Sequence, residues 1–485
     1  MPDSEKISIA DNEHLPTNTS DNSSVHSADE DGENIMLQTH DPHVMGDHLK
    51  ESQALMNFIK GNIGTGMLSM PVVLRYAGLW TGFFMILIAG SMATYLMKVL
   101  VRTSRSVREQ HGLDRAKMDY TETVFYVFKY GPMRLRKPKG KIKHTVNLFL
   151  IVTQIGFSCV YTLFITENIR YFIHGFFPEL PVSFYLVAFL VCLALTPMCL
   201  CSDMRVFARI SAVANVATLL GSILIFIYLF TSGLQPLDSL PVVTNPQGML
   251  VAFGIVMFSF EGISLVLPIE SKMENPDSYI HPCGVLNVGM IIIIALNVAF
   301  GFFGFMRFGE DAKGTITLNI PEYPYWFSPV KPLFIIAIMV TYLLQFYIPA
   351  SIFSRLMEKL RCHREASDRR RYINLKLMRI GLVMFAYSYN QFTLDFYLMV
   401  VTIPKLDLMI SLIGAFASSM LAFILPPVLE LVHLWERRNE IRGFWVFVFA
   451  KHLFFILVGL ISFVGGTVAT LIQLIEAFDV PEQPH

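Results

Sequence analysis

The sequence predicts an all-α integral membrane protein with about eleven transmembrane helices. Of its 485 residues, 53% are hydrophobic and only 16% are charged, whereas an average soluble domain is about 25% charged. The apolar residues lie in long runs instead of alternating with polar residues. Because hydrocarbon offers no hydrogen-bond partners, a run of about 20 apolar residues can satisfy its backbone groups only as a helix.

The apolar runs define the candidate spans. They cover residues 54–75, 78–100, 145–172, 183–201, 206–231, 249–271, 284–306, 330–354, 378–402, 406–432 and 449–475. The ninth span contains a polar interruption from Tyr387 to Asp395, which includes Asn390. The sequence offers no explanation for this interruption.

Three regions are predicted: a disordered acidic tail over 1–50, a transmembrane domain over 51–476 and a short C-terminal tail over 477–485. The first 50 residues are rich in Ser, Asp, Asn, Glu and His. A segment with so little apolar surface cannot offset the entropy that ordering removes. The tail lacks the basic start and apolar core of a signal peptide, so the first span is expected to direct membrane insertion.

Lysine and arginine occur mainly in one set of loops, which predicts the orientation in the membrane. The loops over 102–143, 361–376 and 437–442 are basic, whereas the connection over 231–247 has no lysine or arginine. Because cytosolic loops carry the excess of positive charge, the N-terminus is expected in the cytosol. This one-sided pattern favours topology over nucleic-acid binding, so no nucleic-acid partner is expected.

The first and sixth spans each contain a glycine-marked break. The first has Gly61, Gly64 and Gly66 within six residues, with Pro71 following; each glycine disfavours a helix by about 1 kcal/mol against alanine. The sixth has Glu261-Gly262 at mid-depth and then Pro268. These spans open two consecutive five-helix blocks, and interrupted spans in matching positions of two halves point to a transporter binding site.

A broken helix can bind a zwitterion inside a membrane. The outgoing half-helix presents free N–H groups with partial positive charge, which can hold a carboxylate. The freed carbonyls can meet an ammonium group or a coupling cation. The alternative for these glycines is close helix packing, but Gly61, Gly64 and Gly66 do not keep the four-residue spacing that such packing uses.

Glu261 is a charged residue near the middle of the sixth span. Such a charge costs roughly 2.5–3.5 kcal/mol on insertion scales, so it is expected to have a function. It could accept the substrate ammonium or carry a proton. The alternative is a structural carboxyl group that binds the free N–H groups of the break.

Other polar side chains on apolar spans are expected to face the bundle interior. They are Gln154, Ser158 and Tyr161 on span three, Thr341, Tyr342 and Gln345 on span eight, and Ser411, Gly414 and Ser418 on span ten. For spans three and eight, substrate binding and hydrogen bonding between helices remain equally open. The small residues of span ten are expected to serve packing first.

Together, these residues resemble the proton-coupled amino acid transporters of the amino acid/auxin permease superfamily. The matching stretches run from Lys60 to Gly66 with Pro71, from Val152 to Tyr161, from Phe260 to Glu270 and from Ile403 to Pro427. The resemblance covers roughly residues 50–475. It implies a LeuT-type fold, in which spans one to five and six to ten form a 5+5 inverted repeat with one extra helix.

The resemblance also implies small neutral amino acids as substrates and a proton gradient as driving force. By position, the backbone from Asn62 to Gly66 and from Phe258 to Gly262 would hold the substrate. Asn57 stands where the family has a histidine linked to proton coupling. Glu261 is then the only obvious titrating group at mid-depth, and sodium stays open as the coupling ion.

The first hypothesis is a secondary active amino acid transporter that works by alternating access, with Glu261 as coupling residue. The expected substrate-binding residues are Gly61, Asn62, Ile63, Gly64, Thr65, Gly66, Tyr161, Phe258, Ser259, Phe260 and Gly262. The alternative is an amino acid sensor with little flux. No metal cluster, nucleophile motif or paired mid-depth carboxylates support an enzyme, and no cofactor is expected.

The expected partners are an amino acid and the lipid bilayer, of the plasma membrane or of a lysosomal or vacuolar membrane. The sequence indicates no oligomeric state.

Overall fold

The computed structural model describes residues 49–136, 139–200, 204–323, 325–358, 367–398 and 406–479. In these ranges the chain is helical apart from short connections and an isolated bridge between Leu49 and Met273. The all-α prediction is confirmed for this part of the chain. Most of both predicted tails lies outside the described residues.

The helices follow the order of the predicted spans. The first five spans correspond to α1 (Glu51–Asn62), α2 (Thr65–Leu68), α3 (Met70–Ala77), α4 (Leu79–His111), α5 (Tyr120–Tyr130), α6 (Met133–Arg136), α7 (Lys139–Phe176), α8 (Phe184–Leu200) and α9 (Met204–Thr231). Of these, α5 and α6 belong to the loop between spans two and three.

The second half continues the same pattern. It comprises α10 (Pro246–Ser259), α11 (Ile263–Lys272), α12 (Val285–Phe308), α13 (Val330–Glu358), α14 (Asp368–Leu398), α15 (Leu406–Ile413), α16 (Leu425–Leu434), α17 (Lys451–Leu460) and α18 (Thr467–Asp479). Spans ten and eleven also contain π-helical stretches, Gly414–Ile424, Phe444–Ala450 and Ile461–Gly466.

Eight helical stretches of the described chain are long and apolar enough to cross a membrane. They are Leu79–His111, Gly140–Phe176, Ile210–Thr231, Pro246–Lys272, Pro276–Asp311, Tyr325–Met357, Leu406–Arg437 and Phe444–Glu476. Predicted spans one, four and nine fall in α1–α3, α8 and α14, which do not meet this criterion. The count of eleven therefore stays a prediction.

The polar interruption of span nine is helical in its backbone, since α14 continues to Leu398. The side chains from Tyr387 to Asp395 lie outside the described residues, so its role stays open.

Ion pairs join the ends of α4, α11 and α13 and the start of α5 at one end of the helical bundle, which we call the basic end. There, Arg105 at the end of α4 donates a 2.9 Å hydrogen bond to Glu270 at the end of α11. Arg355 at the end of α13 pairs with Asp119, just before α5. The end that carries the connection over 232–245 is called the opposite end.

Both predicted helix breaks are confirmed. Helix α1 ends at Asn62, and Ile63 and Gly64 adopt extended backbone conformations before α2 begins. Pro71 lies in the first turn of α3, where its missing N–H removes no helical hydrogen bond. Helix α10 ends at Ser259, and α11 restarts at Ile263 after a three-residue turn.

The two breaks lie in direct contact. A Cβ atom added at Gly66 would lie 2.7 Å from the Cα atom of Ser259. A Cβ atom added at Gly262 would lie 2.1 Å from the side-chain oxygen of Asn62. At Gly66 the added atom meets backbone, so the close approach of the two broken spans leaves space for glycine only, whereas at Gly262 it meets the side-chain amide of Asn62.

Gly66→Ala should lower the free energy of unfolding by about 1–3 kcal/mol, because the new methyl group meets rigid backbone at Ser259. The measurement is the melting temperature of the purified protein in detergent. Gly140→Ala is the matched control, since nothing lies within 4 Å of its added Cβ atom. Equal melting temperatures for the two variants would show that the breaks can separate to admit a side chain.

Candidate functional site

The predicted binding residues lie at the contact between the two breaks and are closed to solvent. All residues from Gly61 to Gly66 and from Phe258 to Gly262 are buried, as is Tyr161. The structure therefore brings together every residue of the predicted site. Whether these residues bind substrate stays a prediction.

The first break takes its hydrogen bonds partly from α13. Gln345 donates through Nε2 to the Gly61 carbonyl at 3.2 Å, which is one of the carbonyls that the end of α1 frees. The Asn62 amide donates to the Phe58 carbonyl at 2.8 Å, while its Oδ1 has no partner among the described residues. The Thr65 hydroxyl oxygen is likewise without a described partner. Gln345, which the sequence left undecided, thus belongs to the break itself.

Tyr161 places its phenol group against the first break. Its hydroxyl oxygen lies 3.3 Å from the position of a Cβ atom on Gly64. The same hydroxyl interacts with the side chain of Gln345. Helices α7 and α13 therefore both present polar groups to the extended residues between α1 and α2.

The second break is a tight turn that satisfies most of its own backbone groups. Gly262 N donates to the Phe260 carbonyl at 3.1 Å, and Glu261 N donates to the Phe258 carbonyl at 3.4 Å. The Ser259 hydroxyl donates to Asn297 Oδ1 on α12 at 2.7 Å. The extended first break therefore offers more free polar groups than the second.

The Glu261 carboxylate is 2% exposed and points towards span ten. Its Oε2 accepts a hydrogen bond from Ser418, and its Oε1 has no partner among the described residues. Ser418 lies in the π-helical stretch Gly414–Ile424, and such stretches frequently occur at functional sites. The small residues of span ten were expected to serve packing, but Ser418 also binds the one carboxylate at the break.

Span three contributes one further polar contact at the site. Gln154 donates through Nε2 to the hydroxyl of Ser264, in the first turn of α11, at 3.2 Å. The Ser158 hydroxyl instead donates to the Gln154 carbonyl of its own helix. Of the predicted stripe, Gln154 and Tyr161 therefore reach the breaks most directly.

Lys60 is a second mid-depth ionisable residue, so Glu261 is not the only one. The Lys60 side chain is 1% exposed and donates through Nζ to the hydroxyl of Thr218 on α9, at 3.1 Å. Within the described residues it forms no ion pair. A lysine in an apolar run is the signal that could have revealed it, because intramembrane charges are normally paired or functional.

Two cavities flank the buried breaks. The basic-end pocket encloses about 100 Å³, and its walls include Leu49, Asn57, Asp119, Tyr120, Ser264, Leu265 and Arg355. The opposite-end cavity encloses about 1260 Å³, and its walls include Arg75, Tyr76, Glu167, Arg170, Lys313, Leu318 and Asp407. Asn57, the position at which the resemblance expects histidine, thus faces the basic-end pocket.

The fold is of the LeuT type. The chain is similar to a solved structure of a Na⁺-coupled sialic acid symporter in a substrate-bound outward-open state. The match has a TM-score of 0.53 at 14% sequence identity and covers 90% of this chain and 92% of that chain. At this identity the likeness concerns the fold alone.

The chain belongs to the transmembrane amino acid transporter protein family, whose family model matches residues 49–472. It is 29% identical over 435 residues to the proton-coupled amino acid transporter-like protein pathetic of Drosophila melanogaster, covering 88% of this chain and 86% of that protein. It is 27% identical over 446 residues to the probable amino acid transporter skat-1 of Caenorhabditis elegans, covering 90% and 93%. The family is one of transporters.

The two buried lysines of the described chain give a matched test of whether Lys60 has an anionic partner. Lys331 is 3% exposed and donates to Glu322 and to the Ile320 carbonyl, whereas Lys60 has only the Thr218 hydroxyl. Lys331→Met should cost about 3–5 kcal/mol, because it leaves Glu322 as a buried unpaired charge. Lys60→Met should leave the melting temperature unchanged or raised, because it removes an uncompensated polar group.

The measurement is again the melting temperature in detergent, with wild type beside both variants. A loss of stability in Lys60→Met as large as that in Lys331→Met would contradict the assignment of Lys60 as unpaired.

Proposed function

We propose that the protein is a secondary active transporter that moves small neutral amino acids across a membrane by alternating access, coupled to protons. One observation carries the proposal: the first and sixth spans are both broken at buried positions that contact each other. The basic end is assigned to the cytosol from its arginines and lysines. The membrane is the plasma membrane or a lysosomal or vacuolar membrane, and no further cofactor is proposed.

The breaks supply both ends of an amino acid with a partner. The outgoing half-helices begin at Thr65 and Ile263, where free N–H groups favour the substrate carboxylate. The carbonyls at the end of α1, beside Asn62, favour the ammonium group. Gly64 packs against Tyr161, and Gly66 packs against Ser259 of the second break, so this close packing favours a substrate with a small side chain.

Ion pairs close the site towards both ends, which supports alternating access. At the opposite end, Asp407 accepts from Arg75 at 3.1 Å and from the Tyr76 hydroxyl at 2.9 Å, which joins α3 to α15. At the basic end, Arg105 holds Glu270 at the end of α11. In each pair the arginine is partly exposed and the carboxylate is buried. The two pairs lie at opposite ends, so one closure can open while the other stays shut.

Glu261 is the proposed coupling residue. It lies at the second break, its Oε1 atom is free of described protein partners, and a proton bound there would travel with the substrate. One proton that moves down a potential of 100 mV supplies about 2.3 kcal/mol, which is enough for useful accumulation. Sodium is the rival coupling ion, because a sodium-coupled protein shares this fold.

Glu261→Gln should abolish the stimulation of uptake by acidic pH, because the amide cannot take up a proton. The measurement is uptake of radiolabelled glycine, alanine, serine and proline into proteoliposomes, with and without a pH gradient and with and without sodium. Glu436→Gln is the matched control, since Glu436 is an exposed residue paired with Arg136 at the surface.

A retained pH response in Glu261→Gln would retire this residue as the coupling site. If the wild-type protein binds these amino acids saturably but does not transport them, the alternative function, an amino acid sensor, is favoured.

Asp407→Asn should open the opposite end more often, because it removes the charge that holds Arg75. A cysteine placed at Leu318, in the wall of the opposite-end cavity, reports this opening through its rate of labelling by a membrane-impermeant thiol reagent. The rate should rise by at least about fivefold, which corresponds to the loss of about 1 kcal/mol, the upper end for an exposed ion pair. Asp238→Asn, in an exposed turn, should leave it unchanged, and an unaltered rate in Asp407→Asn would argue against this gate.

A further inference from the structure

Tyr120 is buried although its helix lies in a loop. Helix α5 connects spans two and three at the basic end, and Asp119 caps it by accepting from Glu122 N at 2.8 Å. Tyr120, the first residue of the helix, is only 3% exposed. Its hydroxyl donates to the Leu421 carbonyl of span ten at 2.7 Å. A loop helix therefore inserts a phenol group between the transmembrane helices.

The Tyr120 hydroxyl and the Glu261 carboxylate bind the same π-helical stretch. Ser418 donates to Glu261, and Leu421, three residues further on, accepts from Tyr120. The two side chains are also close enough to interact electrostatically. The stretch Gly414–Ile424 thus binds a mid-depth carboxylate and a loop phenol through residues that are three positions apart.

The other side of Tyr120 faces the basic-end pocket. Tyr120 forms part of the wall of that pocket together with Asp119, Thr121 and Arg355. Its phenol group therefore stands between the buried Glu261 and the pocket that leads to the basic end.

Few titratable groups compete with Tyr120 for Glu261. Helix α7 presents Tyr161 to it, and α1 carries Lys60, whose amine instead points to α9 and Thr218. The part of the chain that the structure describes places no charged side chain against Glu261 from α3, α4, α12 or α15.

We propose that Tyr120 relays protons between Glu261 and the basic-end pocket, an inference that rests on the proposed function. Among the described residues no hydrogen bond joins the two side chains, so a water molecule bridges them in the proposed step. The O–H bond of the Glu261 carboxyl group breaks as its proton passes to that water molecule, which in turn gives a proton to the Tyr120 oxygen. In the same step the original phenol proton leaves for a water molecule in the pocket. Glu261 becomes a carboxylate, Tyr120 stays neutral, and the cytosolic water gains the proton.

The test compares two transport modes of the full-length protein in proteoliposomes. Net uptake of radiolabelled glycine, alanine, serine and proline under a pH gradient requires Glu261 to release its proton in every cycle. Exchange of the same amino acids at equal acidic pH on both sides does not require that release. Tyr120→Phe should slow net uptake about tenfold, which is less than the full rate gain that a positioned proton-transfer group typically provides. The same variant should change the exchange rate by less than about twofold.

Tyr279→Phe is the matched control. Tyr279 is also buried, but its hydroxyl has no partner among the described residues. It should change neither mode. Size-exclusion profiles of both variants verify folding.

Three results would overturn the relay: unchanged net uptake in Tyr120→Phe, an equal loss in both modes, or the same loss in Tyr279→Phe. An equal loss would show that Tyr120 only holds α5 in place. The proposed function fails separately, when Glu261→Gln keeps its pH response. If the pH response depends on Glu261 but Tyr120→Phe still shows fast net uptake, only the proposed relay is rejected.

Discussion

Inside a bilayer, a backbone group that leaves its helix finds no water to bind, and this constraint governs the centre of the protein. The second break satisfies its backbone groups with a tight turn, in which the N–H groups of Glu261 and Gly262 donate to nearby carbonyls. The first break cannot form such a turn, because Ile63 and Gly64 have extended backbone conformations. It depends on Gln345 from α13 for the Gly61 carbonyl. The centre is therefore stable only when distant helices close around it, which also makes it a place where a ligand can replace those partners.

The ionisable residues within the bundle are of two kinds, those that form ion pairs and those that bond only to hydroxyl groups. Near the ends of the bundle, Lys331 has Glu322 and Arg105 has Glu270, so each charge is compensated. Near the breaks, Lys60 and Glu261 have hydroxyl partners and form no ion pair within the described residues. An uncompensated ionisable group at this depth lowers stability, and its presence beside a broken helix agrees with a role in coupling.

Span ten and the loop between spans two and three both contribute side chains to the centre of the protein, and their composition does not predict this contribution. The π-helical stretch directs Ser418 towards Glu261, and the loop helix α5 inserts Tyr120 next to it. A segment that a topology assignment treats as a connection thus forms part of the wall of the basic-end pocket.

The sequence by itself determined the helical membrane class, the two breaks and the clustering of basic loops at one end. These features depend on local chemistry. They follow from the hydropathy of runs of about 20 residues, from the free-energy cost of glycine and proline in a helix, and from the preference of lysine and arginine for the loops on one side of the membrane. Only the tertiary structure decided which side chains complete the breaks. Gln345 lies 284 residues from Gly61, and Ser418 lies 157 residues from Glu261, so no local pattern could pair them. Such contacts arise from helix packing, which brings together residues that are remote in the chain.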